Sequence, residues 1–228
     1  MFKNILNFED NKRDFPYYKK NPHIPKGGWI ILLLSVAFAY VLYMIVSQYS
    51  EFLGSIVFCM SMFIPLMHFS NWNYDLIFHK PNKDEIKLAV LLFIGYIVYT
   101  IILILILDNL GMTTSDSSSF VITYETLVSL VFSMMGEELL KFIPLMFFMR
   151  FFYKFSNNRN VSIAFASIIV LSFFALLHYD GSLMNVLIFQ GLGSMFELAG
   201  YLKTKNLYVP YITHILTDAF LMSLAFLI

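Results

Sequence analysis

Long apolar runs separated by short polar connections set the pattern of this chain. Seven apolar segments stand out, at about 28–48, 52–69, 87–107, 119–153, 161–178, 183–202 and 207–228. Residues 29–46 and 88–107 carry no charge at all, and roughly 18–20 such residues suffice to cross a bilayer core. The runs are far too long for ordinary strands. The pattern predicts an all-α fold, a polytopic membrane helical bundle of about seven to eight transmembrane helices. Residues 1–27 read as a cytoplasmic N-terminal segment, and 28–228 as one integral membrane domain with no internal repeat. The first 27 residues are polar and basic, with no small-residue cleavage site behind the first apolar run, so that run reads as an uncleaved span.

Segment 119–153 is too long for a simple crossing. As a straight helix it would extend roughly 50 Å, against a core of about 30 Å. It is expected to tilt, break or dip, with Gly136 as a plausible break. Ser115 to Ser119 reads as an external loop ending in a helix cap.

Composition agrees with the pattern. The chain is 59% hydrophobic and 13% charged, where a soluble domain carries about 25% charged residues. Mean hydropathy is +0.72. The zero net charge says nothing about nucleic acid, and no soluble basic patch is large enough to argue for it, so no nucleic acid is expected as a partner. Cys59 stands alone, so it forms no intrachain disulfide and no CxxC metal site. If the segments cross in turn, one set of connections holds 14 of the 15 Lys and Arg residues and the opposite set none. Basic loops stay cytoplasmic, which places the N-terminus inside and the C-terminus outside. Richness in Ile, Phe, Lys and Asn with short loops points to a bacterial inner membrane.

The chemistry lies in ionisable residues set within these greasy segments. An ionisable group in hydrocarbon costs at least a few kcal/mol and is rarely there without a partner or a task. Three patterns hold them: Glu137-Glu138-x-x-Lys141, Phe174-x-x-x-His178 and His214-x-x-x-Asp218. Glu137 and Lys141 are i and i+4 with the carboxylate first, the better direction for pairing. Adjacent glutamates point about 100° apart, so one can face chemistry while the other ties down a neighbouring helix. Phe174 and His178 share a helix face, as do His214 and Asp218. A carboxylate behind a histidine orients it, and such a pair is equally at home on a metal. Together these residues are the parts for activating water. Glu125 reads as solvated near the outer surface. Glu197 lies in a segment with Gly191, Gly193 and Gly200, where orienting a histidine, packing and a contact to Lys203 are equal readings.

The order Glu-Glu, Phe-x-x-x-His, His-x-x-x-Asp resembles the CAAX protease and bacteriocin-processing family (CPBP, or Abi) of intramembrane proteases. The run Gly200-Tyr201-Leu202-Lys203-Thr204-Lys205-Asn206-Leu207, leading through Val209-Pro210-Tyr211-Ile212-Thr213 to His214, adds to the likeness. The resemblance covers residues 130–220. There are two departures. The family's first motif usually reads Glu-Glu-x-x-x-Arg, whereas here Phe142 takes the Arg place. Lys141 gives Glu-Glu-x-x-Lys, the form of the related PrsW-type proteases. Asp218 stands where many members have Asn, and an ionised Asp cannot donate to an oxyanion.

The resemblance implies an intramembrane endopeptidase acting on a membrane-associated, prenylated or secreted peptide, with membrane lipid around it. Glu137, with His178, would activate water. His214, backed by Asp218, would stabilise the oxyanion. Glu138 would assist or support structure, and Lys141 would set local charge. A zinc reading draws on His178, His214 and Asp218 as ligands with Glu137 as base. There is no His-Glu-x-x-His, the strongest zinc-protease signature. Two other functions compete: a non-enzymatic bacteriocin self-immunity protein or scaffold on a protease-like core, and a small proton-coupled transporter. A transporter would favour matched inverted halves, and the sequence has none.

A plain zig-zag sets one geometric problem. It puts His178 at the outer end of its span and His214 about 10 Å from the inner end of the last one, too far apart to share a water.

Overall fold

The computed structural model describes residues 13–20, 22–111, 123–179 and 181–227, with side chains to residue 224. The Ser115–Ser119 loop, Asp116 and the first 12 residues lie outside the described residues. The described chain is helical and contains no strand. In order come α1 (Lys26–Val46), α2 (Glu51–Phe69), a 3-10 turn (Tyr74–Leu76), α3 (Lys83–Asn109), α4 (Tyr124–Ser156) and α5 (Arg159–Leu177). A broken segment follows, made of α6 (Leu183–Asn185), a π-helical stretch (Val186–Leu192) and α7 (Met195–Thr204). The last helix is α8 (Tyr208–Leu227). Five helices are long and apolar enough to cross a membrane: α1, α2, α3, α5 and the composite Leu183–Thr204. The protein is an integral membrane protein with an all-α polytopic fold.

Helices α2, α3, α4 and α5 begin where the sequence supplies a cap. Ser50 accepts from the Leu53 N–H at the start of α2. Asn82 with Glu85, and Thr123 with Thr126, form reciprocal capping boxes on α3 and α4, and Asn158 caps α5. Such caps satisfy backbone donors that the helix leaves open. Glu125 is exposed but is not merely solvated. Its carboxylate accepts from the Ser50 hydroxyl (2.7 Å) and the Phe52 N–H (3.1 Å), which ties the start of α4 to the start of α2.

Helix α4 runs unbroken through Gly136. The glycine is a contact point rather than a break, because a Cβ there would run into the Phe58 ring of α2. Removing the side chain lets α2 and α4 pack closely, the usual use of small residues between membrane helices. Gly193 has a related role after the π-helical stretch, where a Cβ would meet the Phe189 carbonyl oxygen. The Tyr99 hydroxyl of α3 donates to the Ile188 carbonyl at 2.8 Å, satisfying an acceptor within the widened turn.

Residues 13–20 pack beneath the bundle at the end that carries the basic loops. Phe15 and Tyr17 are buried. Asp14 pairs with Arg159 at 3.1 Å. Arg150 donates to the carbonyls of Tyr17 (3.1 Å) and Lys19 (2.9 Å).

Candidate active site

Four elements bring the ionisable residues together. Helix α4 supplies Glu137, Glu138 and Lys141. The end of α5 supplies His178, α7 supplies Glu197, and α8 supplies His214 and Asp218. The zig-zag problem disappears because His178 and His214 both pack against Glu137 of α4. Helix α5 leaves the inner turn at Arg159 and stops at Leu177, alongside Glu137 rather than at the outer end of α4. His178 is its C-cap residue. The connection to α6 therefore turns at the depth of the site, which is allowed where irregular backbone lines a cavity.

The residues form two layers. In the upper one, Glu137 Oε2 lies 3.9 Å from His178 Nε2 and 3.6 Å from His214 Nε2. Side-chain exposure is 21% for Glu137, 33% for His178 and 29% for Asp218. In the lower layer Glu138, Lys141 and Glu197 are 3–5% exposed. His214 joins the two.

Hydrogen bonds fix both imidazoles. The His178 Nδ1–H donates to the Phe174 carbonyl at 2.9 Å. The His214 Nδ1–H donates to the Glu138 carboxylate at 2.8 Å. Since a carbonyl and a carboxylate only accept, each ring in its neutral form presents an Nε2 lone pair towards Glu137. The Phe174 and His178 rings lie 4.5 Å apart.

The lower layer differs from the sequence expectation in two ways. Lys141 does not pair with Glu137. Its ammonium sits 2.6 Å from Glu138 and forms a second ion pair with Glu197, while lying 4.6 Å over the Phe174 ring. Nor does Asp218 stand behind His214. Glu138 holds Nδ1, and Asp218 lies on the other side, 3.8 Å from Nε2. The reason is geometric. Asp218 is one turn further along α8, towards the open end of the site, whereas Glu138 faces α8 from below. Glu197, which the sequence left among three readings, is buried against Lys141. Its signal was a carboxylate within an apolar, glycine-containing stretch. Phe142, at the family's Arg position, is buried against Tyr201 with ring centroids 5.2 Å apart.

The fit of a metal can be judged from the donors. Glu138, Glu197 and His214 are the described trio whose ligand atoms lie within 4.8 Å of one another. The Lys141 ammonium already lies between those two carboxylates and supplies the cation. The trio His178, His214 and Asp218 is not drawn together in this way. His178 approaches Glu137, and Asp218 approaches His214.

A surface groove of about 500 Å³ lies away from this chemistry. It is apolar, with Ile168, Leu171, Leu187 and Leu192 among its lining residues.

Fold and site together define a polytopic membrane protein with a glutamate–histidine centre within its bundle. Residues 119–220 match the model of a protein family described as type II CAAX prenyl endopeptidase, Rce1-like. That span holds all three motifs, and the match bears out the CPBP resemblance. The likeness to CAAX-type intramembrane proteases covers those residues, less than half of the chain. The PrsW-like form of the first motif rests on its residues alone. No curated protein and no solved structure matches the chain.

Proposed function

We propose that the protein is an intramembrane endopeptidase that hydrolyses a peptide bond with a water activated by Glu137 and His178. The supporting observation is the approach of both histidine Nε2 atoms to one oxygen of Glu137, at 3.9 and 3.6 Å. Polar atoms separated by more than about 3.5 Å are commonly bridged by a water. A water between Glu137 Oε2 and His178 Nε2 can hydrogen-bond to both. Glu137 takes its proton as the oxygen attacks the scissile carbonyl, and later returns that proton to the leaving amine. His214, in its imidazolium form, donates Nε2–H to the oxyanion. Glu138 holds the imidazole in that orientation, and Lys141 with Glu197 holds Glu138. Asp218 acts as an acceptor beside Nε2. The substrate class is a membrane-associated peptide, prenylated or secreted.

Zinc is given no step. The closest donor trio is neutralised by Lys141, and the trio expected from the sequence is divided between two partners.

The test is the kinetics of His178→Gln, His214→Gln and the double variant on a cleaved peptide. Residues that act as one unit are not additive. Each single variant is expected to lose about 10²–10⁴-fold in kcat, and the double variant little more than either one. Independent, multiplying losses would reject the reading that the two histidines act as one unit with Glu137.

A further inference from the structure

Lys141 has a choice of carboxylates. Glu137 and Glu138 precede it on α4 at the i, i+4 and i, i+3 spacings, where Cβ atoms lie about 5–6 Å apart. Glu197 comes from α7. The ammonium lies 2.6 Å from Glu138 Oε1 and also pairs with Glu197 Oε2, with the centroid of the Phe174 ring 4.6 Å away. An ammonium carries three N–H donors, and a buried donor left without an acceptor costs free energy. Glu138 Oε1 is already shared, since it accepts from the His214 Nδ1–H at 2.8 Å. Glu197 is therefore the acceptor that completes the set around the lysine.

Glu197 is held at that spot. Helix α7 starts at Met195, after the π-helical stretch, and rings on two sides set its rotation. Phe196 packs against Tyr99 of α3 at 5.6 Å between centroids. Tyr201 packs against Phe142 of α4. Between these anchors Glu197 is buried and faces Lys141. The consequence for chemistry lies at Glu137. With the carboxylate first and the lysine at i+4, Glu137 and Lys141 have the favoured order for an ion pair. A carboxylate held by an ammonium is a weaker base, and one of its oxygens is no longer open to a water. Glu137 Oε2 faces the two imidazoles instead, at 3.9 and 3.6 Å, while the lysine is drawn into the layer below.

We infer that Glu197 is a positioning residue: it captures the Lys141 ammonium and so keeps Glu137 free to take a proton from water. Without it, the buried ammonium turns to the remaining carboxylate one turn back on its own helix, Glu137. The reaction then loses its base although every residue placed at the water and the oxyanion is still present. The inference rests on the peptidase reading of the site, and adds to it a residue outside the three motifs.

Rescue by a second substitution separates this role from packing. Peptide cleavage is measured for wild type, Glu197→Leu, and Glu197→Leu combined with Lys141→Met, each shown to be folded by its Tm. Leucine offers the ammonium no acceptor, and the double variant replaces a buried ion pair by apolar side chains, an exchange that proteins tolerate well. Glu197→Leu is expected to lose at least about 10-fold in kcat with KM changed by less than about 2-fold. Adding Lys141→Met removes the misplaced ammonium and is expected to restore kcat several-fold. A double variant no faster than Glu197→Leu, or Glu197→Leu at the wild-type rate, would overturn the proposal. A second readout needs no turnover. The carboxyl groups are labelled with dicyclohexylcarbodiimide, which reacts with those free to take up a proton, and the label on Glu137 is followed by mass spectrometry with fragmentation. Labelling of Glu137 is expected to be several-fold slower in Glu197→Leu than in wild type, and equal rates would overturn the proposal. If the double variant does not fold, this labelling decides alone. Should Glu197→Leu itself fail to fold, Glu197→Gln, whose neutral amide holds the ammonium less strongly, is expected to give the same changes in smaller measure, and unchanged kcat and labelling would overturn the proposal. Slower labelling of Glu137 in the variant, combined with a wild type that cleaves no peptide, would count against the peptidase reading and leave the role of Glu197 standing.

Discussion

Replacing Lys141 with alanine should destabilise the protein more than any loss at the exposed site residues. The lysine is 3% exposed and lies between two carboxylates of similar burial. Its removal leaves Glu138 and Glu197 with His214 alone beside them, and also deletes the contact over Phe174. Breaking a buried pair by removing one partner costs about 3–5 kcal/mol, and a desolvated cation–π contact adds about 1–2 kcal/mol. For a chain of this size each kcal/mol moves Tm by about 2–4 °C, so a fall of about 10 °C or more is expected. The assay is thermal unfolding of purified protein in detergent, followed by aromatic fluorescence. Adding Glu197→Gln should restore part of the loss, because the double variant no longer buries two carboxylates without the lysine. A double-mutant cycle should then show coupling of about 1–3 kcal/mol. A Tm within about 1 °C of wild type, or additive single effects, would refute the charge-neutralising role assigned to Lys141.

Gly136→Leu should push α2 from α4 through Phe58 and cost about 1–3 kcal/mol, with partial rescue by Phe58→Ala, both read as Tm. Burial pushes the Lys205 ammonium down to about 8 from its ordinary 10.5. Between those values the unfolded chain binds a proton that the folded chain does not, so this residue makes stability rise with pH from about 8 to about 10.5. The Tm difference between wild type and Lys205→Met should change across that window, and a constant difference would contradict the shift. A zinc chelator should leave peptide cleavage unchanged, since Lys141 neutralises the closest donor trio. Loss of cleavage on chelation, restored by zinc, would contradict that prediction.

Much of the fold was legible because hydrophobic runs report helices directly. The seven apolar segments correspond to the helices to within a few residues, and caps at Ser50, Asn82, Thr123 and Asn158 set the starts. The π-helical stretch at 186–192 was not legible, since apolar residues read alike in α and π turns. Gly136 was read as a break because helix propensity was the visible property, whereas the deciding one was the Phe58 ring arriving from another helix. The motifs named the residues that come together at the site, but sequence spacing assigned partners wrongly. Within one helix, i and i+4 suggested Glu137 with Lys141 and Asp218 behind His214. Contacts from other helices prevail instead. Glu197 of α7 draws Lys141 down, and Glu138 of α4 takes His214 Nδ1. Partners 56 and 76 residues apart leave no periodic trace in a single sequence.

The central claim is that Glu137 activates water, and Glu137→Gln tests it most directly. The amide keeps the size of the side chain and leaves the Glu138–Lys141–Glu197 cluster intact, so Tm should stay close to wild type. Peptide cleavage by the purified variant in lipid should fall by at least about 10²-fold in kcat with KM little changed. Wild-type turnover by a folded Glu137→Gln protein would contradict the account.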